Sequence, residues 1–576
     1  MVTELDRPEL WSFKGEGNAN WVFAYAGSLP LLVGKVLRVR KPRPPQDAEQ
    51  AALEEAVWAP VLGPSTAATN AAGAAAAREQ AYVQQLLAPL LGQHHVPHQE
   101  PVQTSPSFLR RLLVYSGCLP SGGNGLDFAA AAAAEKSEVA PGVASLMPDV
   151  TLLSDSSPTA APGSGAALSP AVCIELKPKC GFIGGGCATV HPDNRPIKRS
   201  RSRFQLHQML KLAEGKVAAC SAYDPQDLFA GDPSRLRAAL NALLDQPQNN
   251  LLLFLDGQKQ QLVGRQLSRK RRQKEQHAAA GEAAVEPEGD QQQQQPPEAE
   301  IDQQQQQAGP ALEELLAALL PLPAGQRRAA LVDLLAGVLE REGVLPCLLQ
   351  AQQQCRYDIE GIYQLYCHLA GTLTPEVQPA HSAAADGSSR DSDSGGGSAD
   401  ATAEASSAHA AAVRQLLAMP LAEAHAVLRS YVVAATAKDC AIMITLQRLA
   451  DTPPAASAGD GAVEPGSGGG SGTNPHTDGQ ELRESQQQQQ QQQQGQPLQA
   501  VSPPVCRTYC AAAGAWFAYR LAVVDLDLKP LAKIPKHHQL DAAILAAARR
   551  HLADNSGGSG SLGAAEAAGA GVTDRM

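Results

Sequence analysis

The sequence is poor in aromatic and charged residues, and it lacks a long apolar run. Aromatic residues make up 4% and charged residues 18% of its 576 residues, both below the usual content of globular proteins. No run reaches the roughly 18 apolar residues that a membrane-spanning helix needs. Charged residues interrupt the N-terminus, where a signal peptide would be apolar. A secreted or membrane-spanning protein is therefore not expected.

Paired cysteines are also missing. The eleven cysteines are scattered, and none forms a CxxC pair. An odd number without such pairs argues against a disulfide framework or a zinc knuckle and favours reduced thiols. We expect a cytoplasmic or nuclear protein, or one found in both compartments.

Gln, Ala, Gly, Ser and Pro dominate several long segments. These segments have too few large apolar side chains to offset the entropy lost on ordering, so we expect them to be disordered. They are residues 64–77, 120–146, 275–309, 379–412, 452–502 and 554–576. About 400 residues remain, which is enough for a two-lobed globular body.

The net charge of −11 is unevenly distributed. Between residues 177 and 216, nine Lys and Arg stand against two acidic residues, a local net charge of +7. We therefore expect this part of the chain to contact an anion.

The remaining sequence predicts a mixture of helices and strands. Extended runs at 21–27 and 31–40 predict antiparallel strands after a Gly-rich turn. Further strands are expected at 149–153, 171–176, 251–257 and 520–528, and helices at 202–212, 233–245 and 411–436.

Two motifs are suited to binding phosphate. The Gly-rich segment 15–20 precedes a strand that carries Lys35 and Arg38, an arrangement in which backbone amides and cations can approach phosphate oxygens. A plain hairpin turn is the alternative.

In the second motif, Glu175, Lys177 and Lys179 would project to one face of an extended chain, where an anion would relieve the repulsion between the two ammonium groups. The alternative is a solvated edge.

Acidic residues near strand ends could supply catalytic groups. Asp439 is placed as a loop carboxylate that accepts a proton from a hydroxyl, and Asp525 and Asp527 could hold Mg²⁺ facing a nucleotide. A turn cap is the alternative for each.

Eight segments, in this order, resemble the inositol-pentakisphosphate 2-kinase family. They are GEGNAN (15–20), GKVLRVRKPR (34–43), ELKPKCGF (175–182), SRFQLHQMLKL (202–212), SAYDPQDLFAG (221–231), PQNNLLLFLDG (247–257), AATAKDCAIMI (434–444) and VVDLDLKPLAKIPKHHQLD (523–541). The resemblance implies a two-lobed α/β (α+β) kinase-like fold. It also implies transfer of the γ-phosphoryl group of ATP to the 2-hydroxyl of inositol 1,3,4,5,6-pentakisphosphate, which gives phytate.

The resemblance further implies a division of the chain into two lobes. A smaller N-terminal nucleotide-binding lobe would span residues 1–153. A larger C-terminal lobe at 171–553 would bind inositol phosphate and carry the catalytic residues, and 554–576 would be a disordered tail.

The resemblance also implies a role for each matching residue. The catalytic residues would be Asp439, as the base, and Lys177. The nucleotide, with Mg²⁺ on Asp525, would be bound by Gly17, Asn18, Ala19, Asn20, Arg38, Asp155, Glu175 and Asp525. The substrate phosphates would be bound by Arg43, Lys179, Lys211, Asn249, Lys529 and Lys533, with Arg203, His207 and His537 as secondary candidates.

The sequence departs from the family pattern at several positions. Lys533 and His537 stand where members often have Arg and Tyr, so the bidentate contact of a guanidinium is lost at the first. Leu252 replaces an Arg, and a Gly/Ala insert after Arg111 replaces an Arg-rich patch. Plant members hold a zinc ion with a CxxC pair and two histidines, but the matching region here has Gln364 and Leu417. We expect no structural zinc.

Two alternatives remain at this stage. Another inositol phosphate kinase would need a PxxxDxKxG-type signature, which is absent. A catalytically silent binder of inositol phosphates or nucleic acid gains weight from the basic run at 268–274, but no aromatic residues interleave with that run for base stacking. We therefore expect a monomeric kinase for ATP and inositol pentakisphosphate, without a membrane or nucleic-acid partner.

Overall fold

The computed structural model describes residues 6–17, 19–41, 47–64, 71–118, 143–153, 169–260, 308–371, 398–450 and 503–557. The strands are β1 Trp11–Glu16, β2 Asn20–Tyr25, β3 Lys35–Arg40, β4 Glu100–Gln103, β5 Val143–Pro148, β6 Val172–Leu176, β7 Leu251–Leu255, β8 Gln258–Gln260, β9 Ala441–Arg448, β10 Cys506–Cys510 and β11 Ala515–Val524.

The α-helices are α1 Ala48–Leu62, α2 Ala71–Ala81, α3 Ala88–Leu91, α4 Pro106–Tyr115, α5 Arg195–Ser200, α6 Arg203–Ala213, α7 Pro225–Leu228, α8 Pro233–Asp245, α9 Ala308–Leu319, α10 Ala324–Glu342, α11 Val344–Gln352, α12 Ile359–Leu369, α13 Ser398–Leu417, α14 Leu421–Ala437 and α15 Ile534–Gly557. A π-helical turn at Tyr82–Leu87 joins α2 to α3. Short 3₁₀ turns lie at Pro8–Leu10, Gln93–His95, Pro192–Asn194 and Leu531–Lys533.

Two antiparallel sheets organise these elements. The first has the strand order β1-β2-β3-β5-β4, and the second has the order β10-β11-β9-β6-β7-β8. Helices pack against one face of the second sheet, and the mixture of helices and separate antiparallel sheets confirms the predicted α+β class.

The second sheet is buried on both faces because its strands alternate between two apolar clusters. In β6, Val172 and Ile174 belong to the largest cluster, which includes most of the helices. The intervening Cys173 packs with Val150 and Met443 on the other face. This is the period of two expected for a strand. Residues of the first helices, from Leu53 to Val96, also pack in the largest cluster, whereas the first sheet has its own cluster with α4.

Local signals set several helix starts. Ser202 and Gln205 form a capping box, so α6 begins at Arg203. Asp232 accepts hydrogen bonds from the backbone of Ser234 and Arg235, and α8 begins at Pro233 as predicted.

Residues 149–153, predicted as a strand, instead form the turn that leads from the first sheet to the second. Lys14 of β1 donates to Asp149 at 2.5 Å and to Thr151 at 2.7 Å. The Val150 carbonyl accepts from Thr445 of β9 at 2.6 Å. The strand ends at Pro148, and the turn after it is held by the first sheet through the Asp149 and Thr151 side chains and by the second sheet through the Val150 carbonyl.

Other predicted elements need correction. The helix predicted at 411–436 is two helices that meet at Pro420, which lacks an amide hydrogen and cannot continue a helix. The strand predicted at 520–528 ends at Val524, and the strand predicted at 31–40 begins at Lys35. Residues 398–412, predicted to be disordered, belong to α13, because an Ala-rich sequence favours helix even where it has few apolar side chains.

Smaller overlaps occur at the ends of four other predicted low-complexity segments. Residues 71–77 belong to α2, again an Ala-rich helix, strand β5 begins at Val143, α9 begins at Ala308 and α15 extends to Gly557. No single helix of the described ranges has the length and apolar character to cross a membrane. Within these ranges, Glu404–Leu417 and Leu421–Ala437 meet the length and composition criteria only when taken together, and they are bent by 107°.

Candidate active site

Lys177 is a fixed cation between two carboxylates. It follows β6 directly, and its Nζ lies 3.1 Å from Asp525 Oδ2 and 3.6 Å from Glu175 Oε1. Burial opposes the charge on Lys177, but Asp525 and Glu175 outweigh it and raise the pKa of Lys177. Burial raises the pKa of Glu175. This ammonium group is therefore charged and held in place at neutral pH.

Lys179 departs from the predicted arrangement. Strand β6 ends at Leu176, and Lys179 has a left-handed backbone with a φ of 62°. Its side chain is therefore not on the strand face that Glu175 and Lys177 share. It reaches Asp439 instead, with Nζ 3.8 Å from Oδ1, and burial lowers the pKa of Lys179.

Asp439 is positioned by the end of α14 and lies between two lysines. Its backbone amide donates to the Thr436 carbonyl at 3.0 Å, and Lys529 Nζ lies 2.7 Å from Oδ2. Burial acts to raise the pKa of Asp439, but Lys529, followed by Lys179, outweighs it and lowers this pKa. Since 58% of its side chain is exposed, Asp439 is an ionised carboxylate that a ligand can reach.

The Gly-rich segment is the turn of a hairpin, because residues before it form β1. The Gly17 amide donates to the Asn20 carbonyl at 2.9 Å, and the Ala19 carbonyl accepts from the Lys41 amide at 2.8 Å. The Asn20 and Arg38 side chains both point to Asp527. Asn20 Nδ2 lies 2.8 Å from Oδ2, and Arg38 Nη2 lies 2.8 Å from Oδ1.

Asp527 therefore links the first sheet to the segment after β11. Both oxygens of Asp527 accept hydrogen bonds from the first sheet. Asp527 is therefore less available than Asp525 to bind a metal ion. Asp525 has a left-handed φ of 62°, directly after β11. Its side chain is about half exposed, and among the described residues Lys177 is its hydrogen-bond and ion-pair partner.

Arg203, His207 and Lys211 stand at i, i+4 and i+8, so they form one stripe along α6, which adjoins Lys179. Burial, with Lys211, Arg203 and Lys179, lowers the pKa of His207 to about 4. Burial, with Lys216, lowers the pKa of Lys211. Arg203 is paired with Asp541 of α15. His207 is therefore uncharged at neutral pH and Arg203 is paired, so the positive charge that this stripe adds beside Lys179 is that of Lys211.

The start of α15 adds an uncharged imidazole. His537 Nδ1 lies 2.9 Å from the Tyr431 hydroxyl. Burial lowers the pKa of His537 to about 4, with Lys529, Arg203 and Lys533 contributing. His537 thus lies in the field of Lys529, the lysine that pairs with Asp439.

One predicted residue is not brought into this group, and three others lie outside the described residues. Asn249 is exposed in the turn before β7, and no side-chain contact joins it to the other predicted residues within the described ranges. Its neighbour Asn250 is closer to the site, because the Asn250 carbonyl accepts from the Lys177 amide at 2.8 Å. Asn18, Arg43 and Asp155 lie outside the described residues.

Sequence reasoning missed Gln352, which holds two parts of the site together. This fully buried side chain donates to the Lys179 carbonyl at 2.7 Å and to the Ala437 carbonyl at 3.3 Å. It also accepts from the Gly181 amide at 2.8 Å. One amide thus bridges the backbone of Lys179 and the end of α14, two residues before Asp439. The sequence offers only a weak signal, a glutamine at the end of an apolar helix.

Comparison with known proteins gives a consistent result. A family model described as inositol-pentakisphosphate 2-kinase matches residues 13–543. The inositol-pentakisphosphate 2-kinase of Arabidopsis thaliana is 27% identical over 460 residues, 78% of this chain and 83% of that protein. The Danio rerio protein of this name is 42% identical over 93 residues, 16% of this chain and 18% of that protein. The Cryptococcus neoformans protein is 29% identical over 267 residues, 44% of this chain and 52% of that protein.

Proposed function

The chain belongs to the inositol-pentakisphosphate 2-kinase family, and from this premise we propose that it transfers the γ-phosphoryl group of ATP to the 2-hydroxyl of inositol 1,3,4,5,6-pentakisphosphate. The product is inositol hexakisphosphate, or phytate. The observation that carries the proposal is the position of Asp439 between Lys179 and Lys529. A carboxylate that can accept a hydroxyl proton is thus surrounded by cations that can bind phosphate.

Asp439 would accept a hydrogen bond from the 2-hydroxyl and orient its oxygen for attack. Because Lys529 and Lys179 lower its pKa, Asp439 is a weak base in the free protein. Substrate phosphates that draw these ammonium groups away would raise the pKa of Asp439. Substrate binding would therefore strengthen the base when it is needed, while most of the acceleration comes from positioning and charge neutralisation.

The nucleotide would bind on the other side of Lys177. Lys177 and Arg38 would contact its phosphates, together with backbone groups of Gly17, Ala19 and Asn20. Asn18, Glu175 and Asp155 keep the nucleotide roles predicted for them. Asp525 fits a metal ligand, since its half-exposed carboxylate is partnered by one ammonium. Mg²⁺ held there would neutralise phosphate charge.

The substrate phosphates would bind the groups around Asp439. The cations are Lys179, Lys211, Lys529, Lys533 and Arg203, the uncharged His207 and His537 would offer ring N–H groups, and Arg43 and Asn249 keep their predicted roles. A ligand with five phosphates would explain why an acidic chain gathers cations here. We further propose a monomer, located in the cytoplasm, the nucleus or both, without a membrane or nucleic-acid partner.

The proposal is tested by incubating the purified full chain with Mg²⁺, ATP and inositol 1,3,4,5,6-pentakisphosphate and separating the products by anion exchange. Wild type and Asp333→Asn, which removes an exposed carboxylate paired with Arg237, should form hexakisphosphate. Asp439→Asn should form almost none. Full turnover by Asp439→Asn would remove this residue from the base role. Tight binding without product from the wild type would favour the silent binder or another acceptor.

A further inference from the structure

Two histidine side chains converge on the carboxylate at the end of α10, among residues that have no role in the site described above. His95 Nε2 lies 3.2 Å and His94 Nε2 lies 3.9 Å from Glu342 Oε2. The three ligand atoms all lie within 4.8 Å of one another. Two imidazole nitrogens and one carboxylate oxygen thus face a common point.

The hydrogen bonds around His95 fix its tautomer. Its Nδ1 lies 3.0 Å from the Leu91 carbonyl. A carbonyl only accepts hydrogen bonds, so Nδ1 carries the hydrogen, and in the neutral ring Nε2 directs a lone pair at Glu342. Glu342 already accepts from the Tyr519 hydroxyl at 2.6 Å through its other oxygen. His95 Nε2 and Glu342 Oε2, which are 3.2 Å apart, would then face each other with lone pairs. A cation or a second proton must lie between these two atoms.

A metal ion accounts for more of the geometry than a proton does. A second proton on His95 would satisfy His95 and Glu342, and His94 would keep its ring contact with His95, with centroids 3.9 Å apart, but His94 Nε2 would have no hydrogen-bond partner among the described residues. An ion would take all three atoms. The Leu91 carbonyl and the Tyr519 hydroxyl would then be outer partners of the ligands, which is the usual arrangement in metal sites.

The backbone is shaped for this arrangement. Gly92 has a φ of 89°, and a Cβ at this position would lie 2.9 Å from His95 Nδ1. Only glycine therefore permits both the turn and the position of the ring. His95 is 3% exposed and His94 is 54% exposed, so one side of the point is open to water.

We propose that His94, His95 and Glu342 bind one zinc ion, with water as the fourth ligand. Two imidazoles, one carboxylate and an open position form a ligand set typical of Zn²⁺. The ion would tie the Gln93–His95 turn to the end of α10 and, through Tyr519, to β11. This ligand set differs from the cysteine and histidine set whose absence led us to expect no structural zinc.

A second acidic cluster does not support the same inference. Asp358, Glu360 and Asp541 also group their oxygens, but Lys198 Nζ lies among them at 2.5, 2.8 and 2.8 Å. The ammonium group already occupies the place of a cation.

The test measures zinc in the untagged full chain after it is equilibrated with Zn²⁺ and desalted. Wild type should retain about one zinc ion per chain by mass spectrometry of the metal, and His95→Asn and Glu342→Gln should lose it. The control His98→Asn, which changes a nearby histidine outside the cluster, should retain it. Equal zinc content in the wild type and both ligand variants would overturn the proposal.

A second readout covers the case in which the buried variants fold poorly. Added Zn²⁺ should raise the melting temperature of the wild type and of His98→Asn, because a ligand that binds the native state stabilises it. It should raise that of His94→Asn, which changes an exposed side chain, by much less. The same rise in all three proteins, or none in the wild type, would overturn the proposal and leave a protonated His95 as the partner of Glu342.

Discussion

Two groups of charged side chains in the candidate site differ in how their charges are balanced. The Asp527 group consists of Asn20, Arg38 and Asp527, in which one guanidinium meets one carboxylate. In the Asp439 group, formed by Lys179, Asp439 and Lys529, two ammonium groups share one carboxylate. The first group is complete without a ligand, whereas the second has positive charge left over.

The two groups also differ in what they join. The Asp527 group crosses from the first sheet to the segment after β11 and is largely buried, with Arg38 10% exposed. The Asp439 group is accessible to a ligand. Lys211 adds positive charge near it, since Lys211 helps to lower the pKa of both His207 and Lys179. A group whose charges are balanced can hold two parts of a protein together. A group with excess positive charge can bind an anion. The predictions below test this difference.

The largest effect is expected for Asp439→Asn, which should lower turnover by about 10²–10⁴-fold, the usual contribution of a positioned acid or base. Acceptor affinity should stay the same or increase, because the neighbouring lysines lose their carboxylate and keep their charge. Kinetics and calorimetric titration would separate the two quantities. A weaker affinity with normal turnover would show that Asp439 binds rather than activates.

Gln352→Leu should affect both stability and the Asp439 group. The leucine has similar size but leaves the Lys179 and Ala437 carbonyls without this donor, so we expect a loss of about 3 kcal/mol in the free energy of unfolding. The Michaelis constant for the acceptor should rise as Lys179 is released. Urea denaturation and kinetics would measure both. Gln350→Leu, an exposed position on the same helix, should change neither.

Arg38→Gln should destabilise the protein by about 2 kcal/mol, because it leaves the Asp527 carboxylate without its cation. Adding Asp527→Asn should recover part of this loss, since the uncompensated charge is then removed. A double-mutant cycle in urea denaturation measures the coupling. Strictly additive effects would show that the Asp527 group does not hold the two parts together.

The sequence predicted those elements whose determinants are local. Helix α8 has the predicted bounds because Asp232 and Pro233 fix its start. The stripe of Arg203, His207 and Lys211 follows from helical spacing alone. The eight family segments also named Lys177, Asp439 and Asp525, which the fold brings close to one another.

What the sequence missed depends on contacts between distant parts of the chain. The turn at 149–153 looks like a strand until Lys14 and Thr445 bond to it. The extended geometry predicted through Lys179 fails because Gln352, from 173 positions away, binds its carbonyl. Asp527 resembled a metal ligand until the first sheet placed Arg38 against it. Periodicity and short motifs carry no information on such pairings.

Lys211→Met should weaken acceptor binding by about tenfold, or about 1.4 kcal/mol, with a smaller effect at high salt. Burial and Lys216 lower the pKa of Lys211, so its positive charge is unfavourable in the folded protein. Removing this charge should therefore not lower the free energy of unfolding. Calorimetry at two salt concentrations tests this expectation. The control Lys216→Met removes an exposed lysine that pairs with Glu214 at 2.8 Å and should leave the affinity unchanged.

The smallest expected effect concerns the pH dependence of stability. Burial and the surrounding cations lower the pKa of His207 to about 4, whereas an unfolded histidine titrates near 6.5. Between these values the unfolded chain binds the extra proton, so the free energy of unfolding should rise with pH from about 4 to about 6.5. His207→Gln should reduce this slope in urea denaturation, and a change at the exposed His368 serves as the control. Because His537 contributes to the same pH range, part of the slope should remain; a slope in His207→Gln as steep as in the wild type would show that the Asp439 group does not impose its positive field on this helix.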